Sequence, residues 1–359
     1  MKNRIDYLDG HRGLAILMVI CFHAFSRWCN LVPYGHDYEA LFKMGWLGVE
    51  LFFLISGFVI FMSLDKCKSV HEFLCKRWLR LFPAMLVCSL LVYFTMPLFP
   101  ERPSGLMPAR NLMPGLLFME QEWLQHLIGL DLETIEGAFW TLFVEFKFYV
   151  LASLIYFGMG RKRLIPSLLV LSAWGLLAQW SVMHGYPFAQ TLIGRIASAL
   201  SFERFGWFTA GACLYRFVTD QQSRWAWFSL AITLVCSAFL RLGQWDVYAA
   251  MVGISCLFIA STFFKPLQKL LANRFLVWMG FISYPIYLMH ENMMIATIIK
   301  LHKWGLDLPR FIYPALAVAP IAGLAYVVAK WIEPAITQKL KPWVLPKKSI
   351  HAHANAKAA

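Results

Sequence analysis

The sequence from position 9 to position 23 reads Asp9-Gly-His-Arg-Gly-Leu-Ala-Ile-Leu-Met-Val-Ile-Cys-Phe-His23. Arg12 opens an apolar run, and His23 follows eleven residues later. At 3.6 residues per turn, eleven residues make about three helical turns, so both side chains lie on one helix face, roughly 16 Å apart along the axis. This spacing is compatible with a track for a long anionic molecule. It is equally compatible with an arginine that anchors a helix end and a histidine packed between helices.

The composition places this stretch in a membrane protein. Of the 359 residues, 59% are hydrophobic and only 15% are charged, and the mean hydropathy is +0.58. A soluble domain of this length does not need so much apolar surface, so the sequence predicts an all-α polytopic membrane protein. The first apolar run follows acidic residues and lacks a small-residue cleavage site. We therefore expect it to remain as a membrane helix.

The net charge of +13 does not indicate nucleic-acid binding, because the basic residues form short clusters between apolar runs. The eight cysteines lie mostly in or beside apolar segments and show no CxxC spacing. We therefore expect neither a zinc site nor a disulfide framework, and no metal at all.

Hydropathy predicts about ten transmembrane helices. The approximate spans are 12–31, 45–64, 81–99, 139–158, 165–183, 203–219, 226–240, 247–264, 275–297 and 311–331. The basic clusters at 76–80 and 161–163 place both termini in the cytoplasm by the positive-inside rule. The 100–137 connection then lies outside, and its length favours a functional loop over an interfacial helix that rests on the headgroups. We expect a transmembrane domain over residues 1–335 and a cytoplasmic tail over 336–359, disordered at its end.

Ionisable residues inside predicted spans are functional candidates, because burying them in a bilayer costs free energy. His23, Glu145 with Lys147, and His290 are such residues. Glu145 could instead form an ion pair with Lys147 or lie at the interface. His290 could instead make an ordinary hydrogen bond between helices.

Arg77 and Arg80 share one helix face at the cytoplasmic boundary. They could be plain membrane anchors or, together with Arg12, a cationic mouth, since guanidinium groups suit bidentate phosphate binding. Further along, Glu50 and Ser56 lie in a glycine-containing apolar stretch. Its glycines allow close helix packing, whereas Glu50 could face a cavity.

Taken together, these motifs resemble those of the membrane acyltransferase-3 family. The resemblance covers nearly the whole chain and starts with the arginine and histidine of the first helix, separated by ten residues. The other matching stretches are Gly48-Val-Glu-Leu-Phe-Phe-Leu-Ile-Ser-Gly-Phe58, Arg77-Trp-Leu-Arg80-Leu-Phe-Pro83, Phe139-Trp-Thr-Leu-Phe-Val-Glu145-Phe-Lys-Phe-Tyr149, Ser283-Tyr284-Pro-Ile-Tyr287-Leu-Met-His290 and Glu333-Pro334. We expect the standalone form of the family, without an appended esterase-like domain.

The resemblance implies an O-acyltransferase of the bacterial cytoplasmic (inner) membrane. An acyl group, expected to be acetyl, would pass from cytoplasmic acyl-CoA to a hydroxyl of a cell-envelope glycan or lipid-linked sugar, such as O-antigen or exopolysaccharide. Acyl-CoA is a co-substrate here, with no bound cofactor. His23 and Glu145 would be the catalytic residues. His23 would be general base or covalent carrier, and Glu145 would orient His23, stabilise its charged form or contact the acceptor. Arg12, Arg77 and Arg80 would bind the donor. The residues expected to contact the acceptor or support the site are Asp9, Glu50, Ser56, Trp140, Tyr149, Tyr284 and His290.

Two other functions use part of the same pattern. A proton-coupled secondary transporter or exporter could use His23, Glu145 and His290 as a proton relay, but it leaves the cytoplasmic arginines unexplained. A structural or assembly protein would use none of these side chains in chemistry. Binding or hydrolysis of acetyl-CoA would separate the enzyme from both.

Overall fold

The computed structural model describes residues 5–240, 244–306 and 308–345. Over these residues the chain is all-helical, without a β-strand. The helices are α1 (Asp6–Phe22), α2 (Glu39–Phe42), α3 (Gly48–Leu64), α4 (Val70–Thr95), α5 (Met113–Leu117), α6 (Gln121–Ile128), α7 (Trp140–Met159), α8 (Leu164–His184), α9 (Leu192–Ala199), α10 (Phe205–Asp220), α11 (Arg224–Leu240), α12 (Trp245–Ser261), α13 (Lys265–Leu271), α14 (Arg274–Lys303), α15 (Ile312–Val327) and α16 (Glu333–Val344).

Each of the ten predicted spans overlaps one helix, with ends that differ by up to eleven residues. These helices are α1, α3, α4, α7, α8, α10, α11, α12, α14 and α15. Within the described residues, six helical stretches of 22 to 33 residues are long and apolar enough to cross a membrane. The pair α12 and α13, bent by 107°, would make a seventh. The protein is therefore an all-helical polytopic membrane protein, and the count of ten spans and the side of the termini stay predictions.

A helix extends into the first part of the predicted cytoplasmic tail. Residues from 333 to 344 form a helix, α16, which follows α15 through a π-helical turn at Val328–Ile332. The predicted disorder at the end of the tail lies outside the described residues.

The chain divides into two compact units. The first contains the described parts of residues 1–19, 46–70 and 144–280. The second contains the described parts of residues 20–45, 71–143 and 281–359. Each unit thus combines segments that are far apart in sequence. Hydrogen bonds between these segments form only when the chain folds.

The first unit is built on close packing between α3 and α10. A Cβ atom added to Gly57 would lie 1.9 Å from the Phe208 carbonyl oxygen. One added to Gly211 would lie 2.0 Å from the Leu54 carbonyl oxygen. The prediction that glycines of the 45–58 stretch serve close helix contact is confirmed at Gly57, because no larger residue fits there without moving a backbone.

The second unit packs α4 against α14. The Tyr284 hydroxyl donates a hydrogen bond to the Leu81 carbonyl at 3.0 Å. The Cys88 thiol donates to the Pro285 carbonyl at 3.8 Å. A π-helical turn at His23–Arg27 continues α1 into this unit. Such turns are rare and occur often at functional sites, which directs attention to the histidine that opens this one.

The packing of α3 on α10 yields a stability prediction. Gly211→Ala should lower the free energy of unfolding by roughly 1–3 kcal/mol, because the new methyl group overlaps the backbone of α3. Thermal unfolding of the purified protein in detergent measures the change. Gly253→Ala is the matched control, since an added Cβ at this exposed α12 position meets no atom within 4 Å. Equal stability of the two variants would contradict the packing argument.

Candidate active site

His23 lies against a second histidine from α14. The His23 Nδ1 atom is 3.3 Å from His290 Nε2, and the two rings meet edge to face with centroids 4.8 Å apart. His290 is fully buried, whereas the His23 side chain keeps 13% of its surface exposed. Of the pair, His23 is therefore the one that a substrate can reach.

The direction of the hydrogen bonds determines which nitrogen of each neutral imidazole ring carries the proton. His290 Nδ1 lies 2.8 Å from the Tyr287 carbonyl oxygen, which can only accept, so this nitrogen carries the proton. Neutral His290 then has a bare Nε2, which accepts the hydrogen of His23 Nδ1. The lone pair of neutral His23 is consequently on Nε2, and this atom can take a proton or attack an acyl carbon.

A carboxylate lies beside that nitrogen. Glu291 Oε1 is 3.6 Å from His23 Nε2, and Glu291 Oε2 accepts the backbone N–H of Ala138 at 2.9 Å. A Cβ added to Gly137 would come within 3.0 Å of the same Oε2 atom. When Nε2 becomes protonated, the resulting imidazolium faces a buried negative charge, which stabilises it.

The same backbone segment receives two hydroxyl groups. The Tyr287 and Thr141 hydroxyl oxygens lie 3.0 and 3.2 Å from the Ala138 carbonyl oxygen and 2.8 Å from each other. Because each hydroxyl has one hydrogen, one of them donates to the carbonyl and the other donates to its fellow hydroxyl. Ala138 is thus bonded through its N–H and its C=O, which keeps the Glu291 donor in place.

A further polar layer surrounds Glu291. Glu136 Oε2 accepts from the Asn292 backbone N–H at 3.1 Å and from the Asn292 side-chain amide at 2.9 Å. Arg102 Nη2 donates to the Ile135 carbonyl at 2.8 Å and lies 3.5 Å from Glu136 Oε1. Burial and, to a smaller extent, the neighbouring Glu291 carboxylate raise the pKa of Glu136 to about 8, against the opposing effects of Arg102 and Asn292.

Sequence reasoning listed His23 and His290 as separate candidates, and the structure brings them together. It did not list Glu291, Glu136 or Arg102 as site residues. Glu291 carried a usable signal, since it is an acidic residue next to a histidine inside an apolar helix. Glu136 and Arg102 carried none, because both lie in a connection where charged residues are ordinary.

Glu145, the predicted partner of His23, is bonded within the first unit. Its Oε1 atom accepts from the Ser56 hydroxyl and from the Tyr149 hydroxyl, each at 2.6 Å. Lys147, the other candidate partner for its charge, donates to the Ala199 carbonyl at 2.6 Å and to the Ser201 hydroxyl at 3.1 Å. A catalytic role for Glu145 stays a prediction, and Ser56 and Tyr149 are now assigned as its hydrogen-bond donors.

The three predicted donor-binding arginines have different surroundings. Arg12 pairs with Asp9 at 3.1 Å in the first unit. In the second unit, Arg80 pairs with Glu333 at 2.7 Å and lies over the Tyr284 ring, 5.6 Å from its centroid. There Arg77 lies 5.6 Å from the centroid of the Phe73 ring. The Arg80 side chain is 48% exposed, so it remains accessible to an anion.

Glu50 and Trp140, both predicted to support the site, differ in burial. Glu50 is almost completely buried and accepts from Arg204 Nη1 at 2.9 Å. This pair lies within the first unit and explains how a carboxylate survives one turn into α3. Trp140 is the first residue of α7 and is 40% exposed.

One group of side chains in the described residues has the composition of a metal site. Ligand atoms of Cys29, His36 and Glu39 all lie within 4.8 Å of one another. His36 Nδ1 is 2.5 Å from Glu39 Oε2, and His36 Nε2 is 3.0 Å from Asn30 Oδ1. Hydrogen bonds thus account for both imidazole nitrogens, and the reaction discussed below does not use this group.

The sequence from residue 5 to residue 330 matches the acyltransferase domain family. The matched range includes the histidine pair, Glu291 and the polar residues around it. The chain belongs to the acyltransferase family. This confirms the resemblance drawn from the first-helix, α3, α4, α7 and α14 motifs.

Two curated relatives illustrate the range of this acyltransferase family. An O-acetyl transferase of Shigella phage Sf6 is 28% identical over 197 residues, which make up 52% of this chain and 57% of the relative. The peptidoglycan O-acetyltransferase OatA of Listeria monocytogenes is 25% identical over 359 residues, 90% of this chain and 55% of the relative. The chain thus spans about half the length of these curated relatives. No solved structure matches it significantly.

Variants of the Glu50–Arg204 pair distinguish a structural role of Glu50 from a functional one. Arg204→Ala should lower the free energy of unfolding by roughly 2–4 kcal/mol, because it leaves a buried carboxylate without its counter-charge. The double variant with Glu50→Gln should recover most of this loss, since a neutral amide needs no counter-charge. Thermal unfolding of the three variants checks it. A stable Glu50→Gln variant that has lost acyl transfer would instead support the predicted role at the site.

Proposed function

We propose that this acyltransferase moves an acetyl group from cytoplasmic acyl-CoA to a hydroxyl of a cell-envelope glycan or lipid-linked sugar. The proposal is carried by the unprotonated Nε2 atom of neutral His23. His290 orients this ring through the other nitrogen, and Glu291 lies beside Nε2. Family membership and the names of the two relatives, both O-acetyl transferases, support the choice of acyl transfer to oxygen.

The chemistry requires one proton acceptor. The acceptor oxygen forms a bond to the acyl carbon, the carbon–sulfur bond of the thioester breaks, and the products are an ester and the coenzyme thiol. His23 Nε2 takes the hydroxyl proton as the oxygen attacks and returns it to the departing thiolate sulfur. A positioned imidazole in this role contributes typically 10²–10⁴-fold to the rate.

The buried neighbours of His23 are arranged for this proton cycle. His290 holds the Nδ1 hydrogen, so the imidazole cannot turn its lone pair away from the substrate. Glu291 stabilises the imidazolium that exists between attack and departure. The same nitrogen could carry the acyl group in a covalent intermediate, and then the ester would form in a second step.

Donor binding belongs to the arginines at the cytoplasmic side in the predicted topology. Guanidinium groups bind phosphate oxygens through paired N–H donors, and coenzyme A is rich in phosphate. We assign Arg12, Arg77 and Arg80 to this role, in line with the sequence motifs. The partners Asp9 and Glu333 orient two of the three side chains before the donor arrives.

The acceptor would be presented at the outer half of the bacterial inner membrane. The 100–137 connection supplies Arg102 and Glu136 and leads directly into Ala138, whose N–H bonds to Glu291. Its position beside the catalytic histidine makes it the part of the chain best placed to select the acceptor.

Removing the proposed base gives the first test. His23→Ala should lower transfer of labelled acetyl from acetyl-CoA into membrane glycans by about 10²-fold or more. Membranes are prepared from the native host, so that its acceptor is present. His302→Ala serves as the control, because His302 is an exposed histidine near the end of α14. Transfer by the His23→Ala protein at the wild-type rate would overturn the assignment.

A second test concerns the donor. Arg77→Ala should raise the KM for acetyl-CoA by about 10- to 100-fold, since a charge-assisted hydrogen bond contributes roughly 1.5–3 kcal/mol. Arg163→Ala, in an exposed basic cluster, controls for the general loss of positive charge. An Arg77→Ala protein with an unchanged donor KM would contradict phosphate binding by this residue.

A further inference from the structure

Hydrogen bonds connect the residues of the buried layer behind Glu291. Asn292 accepts the Ser104 backbone N–H at 3.0 Å on Oδ1 and donates to Glu136 through Nδ2. Glu291, the preceding residue, receives the N–H of Ala138. Two consecutive residues of α14 are therefore bonded to the segment from Glu136 to Ala138, which fixes the position of Glu291 relative to that segment.

The charges in this layer do not balance if every group is ionised. Glu136 and Glu291 are both buried, and among the residues that the structure describes, Arg102 is the guanidinium bonded to the layer. Arg102 reaches Glu136 only at 3.5 Å, through an Nη2 atom that donates more closely to Ile135. Two buried carboxylates close together strongly disfavour double ionisation, so the pair holds a proton.

The surroundings distinguish the two carboxyl groups. Glu291 faces His23, which becomes a cation during the reaction, and it accepts a backbone N–H on its other oxygen. Glu136 is only 1% exposed; Arg102 lies 3.5 Å from its Oε1 atom, and its Oε2 atom accepts two N–H bonds from Asn292. Against these contacts, its near-complete burial and the neighbouring Glu291 carboxylate oppose its ionisation. The raised pKa of Glu136 agrees with a proton on this residue at neutral pH.

We propose that Glu136 is a positioning residue that stays protonated at neutral pH, holds Glu291 against His23 through Asn292, and leaves Glu291 as the ionised partner of the base. This inference rests on the proposed function for its effect on acyl transfer. The protonation of Glu136 itself does not depend on the reaction.

The proposal separates two variants at the same position. Glu136→Gln keeps a neutral side chain with an oxygen that accepts from Asn292, so its kcat at pH 7 should stay close to that of the wild type. Glu136→Ala removes the acceptor for Asn292. Its kcat should fall by on the order of 10²-fold, because Glu291 is no longer held in place, while the KM for acetyl-CoA stays unchanged.

The pH dependence gives a readout that a purely structural role would not change. The folded-state pKa of Glu136 is raised from 4.5 to about 8, so its contribution to stability is fully present below pH 4.5. That contribution declines as the pH rises and is lost above about pH 8. Wild-type thermal stability should therefore fall across this window, and Glu136→Gln should reduce the slope.

The decisive experiment combines infrared spectroscopy with these variants. The spectrum of the wild-type protein at pH 7 should contain a carboxylic-acid carbonyl band that Glu136→Gln removes. Glu101→Gln is the matched control: Glu101 precedes Arg102 in the chain but pairs with Lys303 at 3.3 Å. This control should leave the band and the pH profile unchanged.

Two results would overturn the proposal. One is a protonated-carboxyl band that persists in Glu136→Gln. The other is a kcat for Glu136→Ala equal to that of the wild type. If no variant, including the wild type, transfers acetyl while the band behaves as expected, the proposed function fails and the protonation of Glu136 stands.

Discussion

The hydrogen bond from His290 to the Tyr287 carbonyl decides what the site can do. A carbonyl oxygen only accepts, so this bond determines which nitrogen of His290 is protonated and, through it, which nitrogen of His23 is bare. A single backbone group in the middle of α14 thereby directs the lone pair of a histidine from the opposite end of the sequence. The assignment of His23 Nε2 as the base depends on this chain of two hydrogen bonds, from His23 to His290 and from His290 to Tyr287.

Both units solve the same physical problem, which is to keep carboxylates inside a largely apolar protein. In the first unit, Glu50 has Arg204 as counter-charge, and Glu145 has two hydroxyl donors. In the second, Glu291 has a backbone N–H and a histidine that changes charge during the reaction. Of these three described carboxylates, Glu291 is the one that faces an imidazole, which changes charge near neutral pH, and this is why we place the chemistry there.

The sequence predicted the helices well, because each apolar run is long enough to be recognised and is bounded by polar residues. It also identified His23 and His290, since an ionisable residue in an apolar run stands out. It could not show that they touch, because their 267-residue separation leaves no periodic signal. Glu145 was chosen on the same logic, and its catalytic role stays a prediction. The structure adds Glu291 beside His23. Glu136 looked like an ordinary loop residue until its burial was known.

The central claim is that neutral His23 carries its hydrogen on Nδ1 and presents Nε2 to the substrate. Nitrogen-15 NMR of the protein labelled at histidine tests it directly, with His23→Gln used to assign the signal. The account predicts the Nδ1–H tautomer in the wild type, and a change in that tautomer preference when His290 is replaced by phenylalanine. An Nε2–H tautomer of His23 in the wild-type protein would contradict the hydrogen bond from His23 Nδ1 to His290. It would also contradict the assignment of His23 Nε2 as the base.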